Sequence, residues 1–244
     1  IFYYYTIIMC EKVVLLPVNI NRLDDLKFSI WSLSHIKDIK ICLICHKFDF
    51  SQVKKTLTED QLTKIDLISD FSSTNLSELL NKAQKKYSES TVFYRLDSGD
   101  IVHVKRFEYT PSSKKSLLVH TSLLLEEKCF KIKIYRGRYM QLFRNGLVHS
   151  SFSFFKVNYN ESYKLAQDYE LSLKKIYSEN LEYIPKVLVC KRLSKNGNTL
   201  KKRGDSISGS INSKKQQLKK KFSLILFIAI LFEKIKLALW NLKK

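Results

Sequence analysis

Two aspartates three residues apart, Asp97 and Asp100, enclose a Ser98-Gly99 pair that reads as a tight turn. Carboxylates at that spacing can aim at one hard cation such as Mg²⁺ or Mn²⁺, and such a metal typically brings a diphosphate with it. The same four residues also make an ordinary surface turn. A second pattern, Cys42-Leu43-Ile44-Cys45-His46, has the C-x-x-C-H spacing of haem attachment. It falls inside the apolar run from Ile39 to Phe48, which reads as a buried strand, and there the two cysteines are read as packing residues. The cysteines, Cys10, Cys42, Cys45, Cys129 and Cys190, are odd in number and irregular in spacing, so no disulfide framework is expected.

The elements that must position the Asp97–Asp100 turn can be read from periodicity. Lys12 to Val18 is a short apolar run ended by Pro17 and Asn19, the pattern of a buried parallel strand. Leu23, Leu26, Ile30 and Leu33 recur at helical spacing. Ile39 to Cys45 reads as the second strand, Ser51 to Leu62 as a helix and Lys64 to Ile68 as the third strand. Ser73 or Thr74 is suited to cap a helix bearing Leu76, Leu79, Leu80, Ala83 and Tyr87. Thr91 to Leu96 is the fourth strand and runs directly into Asp97. Alternation of this kind predicts an α/β sheet with crossover helices, whose ligands bind beyond the carboxyl ends of the strands. Pro17-Val18-Asn19 and Asp97 to Asp100 both lie there. Beyond residue 110 the pattern changes to strands at Leu117 to Leu125 and Cys129 to Tyr135, as a hairpin, and at His149 to Phe155. A helix carrying Ala166, Tyr169, Leu173 and Ile176 follows, then a last strand from Tyr183 to Cys190.

The chain has 244 residues, of which 45% are apolar and 27% charged, so it can bury a core and is not disordered throughout. Its six glycines and three prolines exclude collagen-like and proline-rich designs. The net charge of +20 is unevenly placed: residues 191–244 hold 15 Lys and Arg against two acids, which leaves the body only mildly basic. The lysines lead into Phe222 to Phe232, eleven residues with Ser223 the only polar one. An amphipathic stretch with Trp240 and terminal lysines follows. Eleven helical residues rise about 16 Å, half of a bilayer's hydrocarbon. The tail therefore reads as an interfacial anchor on an anionic leaflet, with a core helix as the alternative. No nucleic-acid recognition motif accompanies the charge, and nucleic acid is not an expected partner. Residues 1–8 lack the basic region and small-residue cleavage site of a secretory signal, so a cytoplasmic placement, peripheral to the membrane, is expected.

Several segments together resemble the inverting, family 2 type of nucleotide-sugar glycosyltransferase. They are Pro17-Val18-Asn19, Asn75 to Ala83, Arg95 to Ile101 with Arg106-Phe107, His149 to Lys156, Ala166 to Leu171, Lys191-Arg192, and Ser206 to Ser208 with Gln216. The resemblance runs from about Lys12 to Gln216. It implies a GT-A fold, a Rossmann-like mixed α/β sheet flanked by helices, here with a C-terminal apolar and amphipathic helix. The domains expected are a transferase domain over 1–205, a basic linker over 206–221 and a membrane-associating helix over 222–244. It further implies a nucleotide-sugar donor held by Pro17, Val18, Asn19, Asn81, Asp97 and Arg192, and a divalent cation (Mg²⁺ or Mn²⁺) on Asp97 and Asp100. A glycan or lipid-linked acceptor is expected near His149, with Asp168 as the general base that takes the acceptor's proton. The chain departs from the family pattern at Cys45-His46-Lys47, Gly99 and Gln167, where acids are common. A non-catalytic module that binds a nucleotide sugar is the alternative expectation.

Overall fold

The computed structural model describes residues 10–18, 20–46, 50–70, 75–126, 129–143, 147–162, 167–193, 203–220 and 223–241. Asn19, Ala166, Ser73, Thr74 and residues 1–8 lie outside them. Among the described residues the chain forms one nine-stranded mixed sheet with helices against its faces. The first part alternates strand and helix as expected: β1 (Lys12–Val18), α1 (Leu26–Ser34), β2 (Lys40–His46), α2 (Phe50–Lys54), α3 (Glu59–Leu62), β3 (Ile65–Asp70), α4 (Leu76–Lys85) and β4 (Val92–Arg95). The single helix expected over 51–62 is two short ones. Thr58 starts the second with a capping box, accepting from the Gln61 N–H while its own N–H is met by the Gln61 side chain. The cap of α4 is Asn75, whose side chain accepts from the Glu78 N–H at 3.0 Å.

The second part holds β5 (Ile101–Val102), β6 (Leu117–Glu126), β7 (Cys129–Lys133), α5 (Arg138–Phe143), β8 (Ser153–Phe154), α6 (Gln167–Tyr177) and β9 (Leu181–Arg192). The strand order is β3-β2-β1-β4-β8-β6-β9-β5, with β7 paired to β6 as the expected hairpin. Strands β1 to β4 are parallel neighbours and β8 runs antiparallel to β4. The long strand expected over 149–155 is only two residues, because His149–Ser151 forms a 3-10 turn before it. β9 carries a register shift against β6, where Ile184 faces His120 but Val187 faces Thr121. Pro185 lies in the extra stretch, and a residue without an N–H suits a bulge.

Burial follows the strand period. Along β1, Val14, Leu16 and Val18 enter the core beneath α1, while Val13 and Leu15 enter the core beneath α4. That two-sided burial makes β1 a central strand, as its unbroken apolar run implied. Cys42 and Cys45 of β2 likewise belong to opposite cores, so they cannot act on one group, and both are free thiols.

The C-terminal expectation needs correction. Residues 206–220 are not a linker. They belong to an eighteen-residue helix, α7 (Arg203–Lys220), which packs with α8 (Leu224–Asn241) as a hairpin on α5 and α6. Leu226 and Ala229 of α8 join Leu142, Tyr169 and Leu173 in a third apolar cluster. The face of α8 formed by Leu226, Ala229, Ile230 and Glu233 is buried, whereas Leu224, Phe227, Ile228, Leu231 and Ile235 form an exposed apolar stripe. α8 is thus docked on one side and exposes apolar side chains on the other. No helix among the described residues is long and apolar enough to cross a membrane.

Candidate active site

The strand order reverses between β1 and β4, and the loop Asp97 to Asp100 leaves β4 at that switch point. The Asp100 N–H bonds to the Asp97 carbonyl at 3.0 Å, and Gly99 between them has φ +92°. A side chain is strained at that angle, which gives a physical reason for glycine at this position. Ser29, on the inner face of α1, clamps the turn. Its Oγ accepts from the Gly99 N–H at 2.8 Å and donates to the Asp100 carbonyl at 2.8 Å.

A second clamp comes from the far side. Arg106 is fully buried and donates to the carbonyls of Arg95 and Phe152, each at 2.9 Å, and to His120 Nε2 at 3.1 Å. It thereby ties the end of β4 to the 149–151 turn. Ser150 of that turn accepts from the Asp97 N–H at 3.1 Å and donates to Asp100 Oδ2 at 2.5 Å. Neither serine stands out in the sequence. The signal for Ser29 is a polar residue placed on the apolar stripe of α1.

Ionisable side chains gather here from four separate segments, the Arg95–Asp100 stretch, His149, Asp168 and Lys191. Asp97 Oδ1 meets the Arg95 guanidinium at 2.9 Å, and its Oδ2 meets Lys191 Nζ at 3.1 Å and His149 Nδ1 at 3.4 Å. Burial opposes ionisation of Asp97, but Arg95, Lys191 and His149 outweigh it and hold the carboxyl well below its usual range. His149 Nδ1 also lies 3.2 Å from Asp168 Oδ2, so one imidazole links the two aspartates. Asp168 stands in the first turn of α6 and is almost fully buried. Its Oδ1 has no hydrogen-bond partner among the described residues. Tyr159 packs nearby, its hydroxyl held far above the usual phenol range by burial and by the Asp168 charge.

Asp97, Asp168 and His149 therefore come together as expected, and Asp100 joins them through Ser150. The other expected residues are placed differently. Pro17 and Val18 are buried at the end of β1, opposite Ile44 and Cys45. Asn81 is committed to structure: it donates to the Tyr159 carbonyl and the Glu161 carboxylate, and accepts from the Tyr159 N–H, all at 2.9 Å. Arg192 sets its guanidinium over the Phe28 ring at 3.9 Å and 3.6 Å from Asp25 Oδ1, and its backbone N–H meets Asp100 Oδ1 at 3.2 Å. The side chain that β9 sends to the aspartates is its neighbour Lys191. Alternation along a strand separates adjacent residues, and Lys191 was not among the expected site residues.

The Asp97–Asp100 pair does not suit a divalent ion as it stands. Asp100 is fully buried, and its two oxygens are taken by Ser150 and the Arg192 N–H. Both oxygens of Asp97 face cations. No group of three or more His, Cys, Asp and Glu side chains among the described residues is arranged to hold a metal ion.

The sequence matches no protein-family model and no curated protein. Solved structures share the fold. S. aureus TarS matches over 85% of this chain and 40% of its own length, at 11% identity and a TM-score of 0.60. TarS 1-349 in complex with UDP matches over 85% of this chain and 65% of its own, at 11% identity and a TM-score of 0.57. The same segment in complex with UDP-GlcNAc matches over 85% and 66%, at 10% identity and a TM-score of 0.61. The chain spans less than two thirds of the length of each of these structures.

Proposed function

We propose that the protein transfers a sugar from a nucleotide-diphosphate donor to a hydroxyl acceptor, by direct displacement with inversion at the anomeric carbon. The observation that carries this reading is the buried Oδ1 of Asp168, which has no hydrogen-bond partner among the described residues, on a carboxylate that His149 links to Asp97 at the switch point. A buried carboxylate oxygen without a hydrogen-bond partner, beside a cationic cluster, is suited to take a proton where a negative leaving group is held. The fold shared with structures that bind UDP and UDP-GlcNAc supports a nucleotide-sugar donor. In the step, the acceptor oxygen bonds to the anomeric carbon as the carbon–oxygen bond to the diphosphate breaks. The electron pair leaves with the diphosphate, and the acceptor's proton passes to Asp168 Oδ1. His149 fixes the other oxygen of that carboxylate and sits half-exposed where an acceptor would approach.

The exposed apolar stripe of α8, together with the exposed lysines Lys215, Lys219 and Lys220 of α7, supports a lipid-linked acceptor at the cytoplasmic face of a membrane. The test is turnover of a panel of UDP-, GDP- and dTDP-sugars. Wild type turns over one of them, and Asp168→Asn loses about a hundredfold or more in kcat while still binding the nucleoside diphosphate. Equal activity in the variant removes Asp168 from its role. Binding of a nucleoside diphosphate without turnover of any donor assigns the chain instead to a non-catalytic binding module.

A further inference from the structure

We propose that the Lys191 ammonium takes the place of a divalent cation in this site, holding the Asp97–Asp100 loop at rest and carrying the charge of the departing diphosphate. The inference takes its substrate from the transferase reading, but its geometry stands apart from it. Lys191 Nζ lies 3.1 Å from Asp97 Oδ2 and 3.9 Å from Asp100 Oδ2, between the two carboxylates expected to share a metal. The position is fixed by the sheet. Lys191 pairs with Leu124 of β6, and the next backbone N–H, that of Arg192, is locked onto Asp100 Oδ1 at 3.2 Å. On the other side of Asp97 stands Arg95, 2% exposed. A divalent ion brought to this pair would face two fixed cations and would have to displace one of them.

The lysine is also reachable. Its side chain is 18% exposed, against 2% for that of Arg95, so of the two permanent cations on Asp97 it is the one an entering ligand can reach. An ammonium offers three donors on a flexible stem, and can keep one on Asp97 while the others turn to phosphate oxygens. Negative charge develops on the diphosphate oxygen as the anomeric bond breaks, and Lys191 then meets that charge with no further co-reactant.

The test uses the full chain with UDP, GDP and dTDP as probes, in EDTA and with Mn²⁺. Calorimetry is expected to show one diphosphate binding in EDTA, with an affinity that Mn²⁺ changes less than twofold. Lys191→Met is expected to weaken that binding at least tenfold, and Lys191→Arg to keep it within a few-fold. Electron paramagnetic resonance of free Mn²⁺ is expected to show no uptake by wild type, and uptake by Lys191→Asp, which removes the cation and adds a third carboxylate. If Lys191→Met does not fold, as judged by circular dichroism, the wild-type EDTA and Mn²⁺ measurements still decide. Diphosphate binding that EDTA abolishes and Mn²⁺ restores overturns the proposal, as does wild-type affinity in folded Lys191→Met or no diphosphate binding under either condition. Metal-free binding that depends on Lys191, with no donor turned over, leaves the Lys191 assignment standing and removes the transferase reading. Turnover that requires Mn²⁺ does the reverse.

Discussion

Ser29 and Gly99 set the shape of the loop on which the proposed chemistry depends, and neither bears a charge. Ser29→Ala leaves the Gly99 N–H and the Asp100 carbonyl without their partner in a dry site. An unmet buried group costs about 1–3 kcal/mol, so a lower melting temperature is expected, together with a rise in donor KM as the aspartates loosen. Gly99→Ala places a side chain at φ +92° and is expected to cost about 1–2 kcal/mol by denaturant titration. His120 gives a pH signature. Burial, helped by the neighbouring Arg106, pushes its pKa down to about 2, so the folded protein keeps it neutral. The unfolded chain takes up a proton below about pH 6.5, so stability is full above that pH and falls as pH drops below it, by about 1.4 kcal/mol per unit. His120→Gln is expected to flatten that limb in chemical denaturation measured between pH 6.5 and 4. At this scale the candidate pair Asp97 and Asp100 was legible from residue type and spacing, whereas Asp168 and His149 were singled out only through the resemblance. Lys191 was not, because a lysine next to an arginine at the head of a basic tail looks like any solvated charge. Only the strand register tells which of the two turns inward.

Among the elements, the central parallel strands were legible because burial on both faces leaves an unbroken apolar run. The helix α7 was not. Gly204, Gly209 and its serines favour a loop by propensity, and packing overrides them by burying Ile211, Ser213, Lys214 and Gln217. The hairpin of α7 and α8 closes over an ion pair, Lys214 Nζ to Glu233 Oε1 at 3.1 Å, with Ser210 Oγ at 3.0 Å and the Tyr169 ring beneath the ammonium. Lys214 therefore does not belong to a lipid-facing patch. Burial draws its pKa down, while Glu233 works against that shift. Removing one partner strands a buried charge, so Lys214→Met is expected to cost about 3–5 kcal/mol. Lys214→Met with Glu233→Leu is expected to recover most of that loss. The measurement is urea unfolding followed by tryptophan fluorescence.

On the scale of the whole molecule, the hairpin's docking on α5 and α6 decides how membrane attachment can be tested. Truncation after Ser213 would cut α7 and uncover Tyr169 and Leu173, so it confounds attachment with unfolding. Ile228→Glu with Leu231→Glu alters only the exposed stripe. Full-length protein is expected to pellet with phosphatidylserine vesicles and to release as salt rises, whereas the double variant stays in the supernatant with an unchanged melting temperature. Sheet order has a consequence for how the protein is made. Strand β6 takes β9 as its parallel partner, Leu117 facing Leu181 and Leu125 facing Arg192. At roughly 5–20 residues per second on a ribosome, some 60 residues of delay leave that edge of β6 waiting about 3–12 s for its neighbour. The nascent chain must survive this interval with that apolar strand edge open, since β8 and β7 pair with the opposite edge of β6. The last strand to emerge is also the one that delivers Lys191, so no partial product that ends before β9 can carry the assembled candidate site.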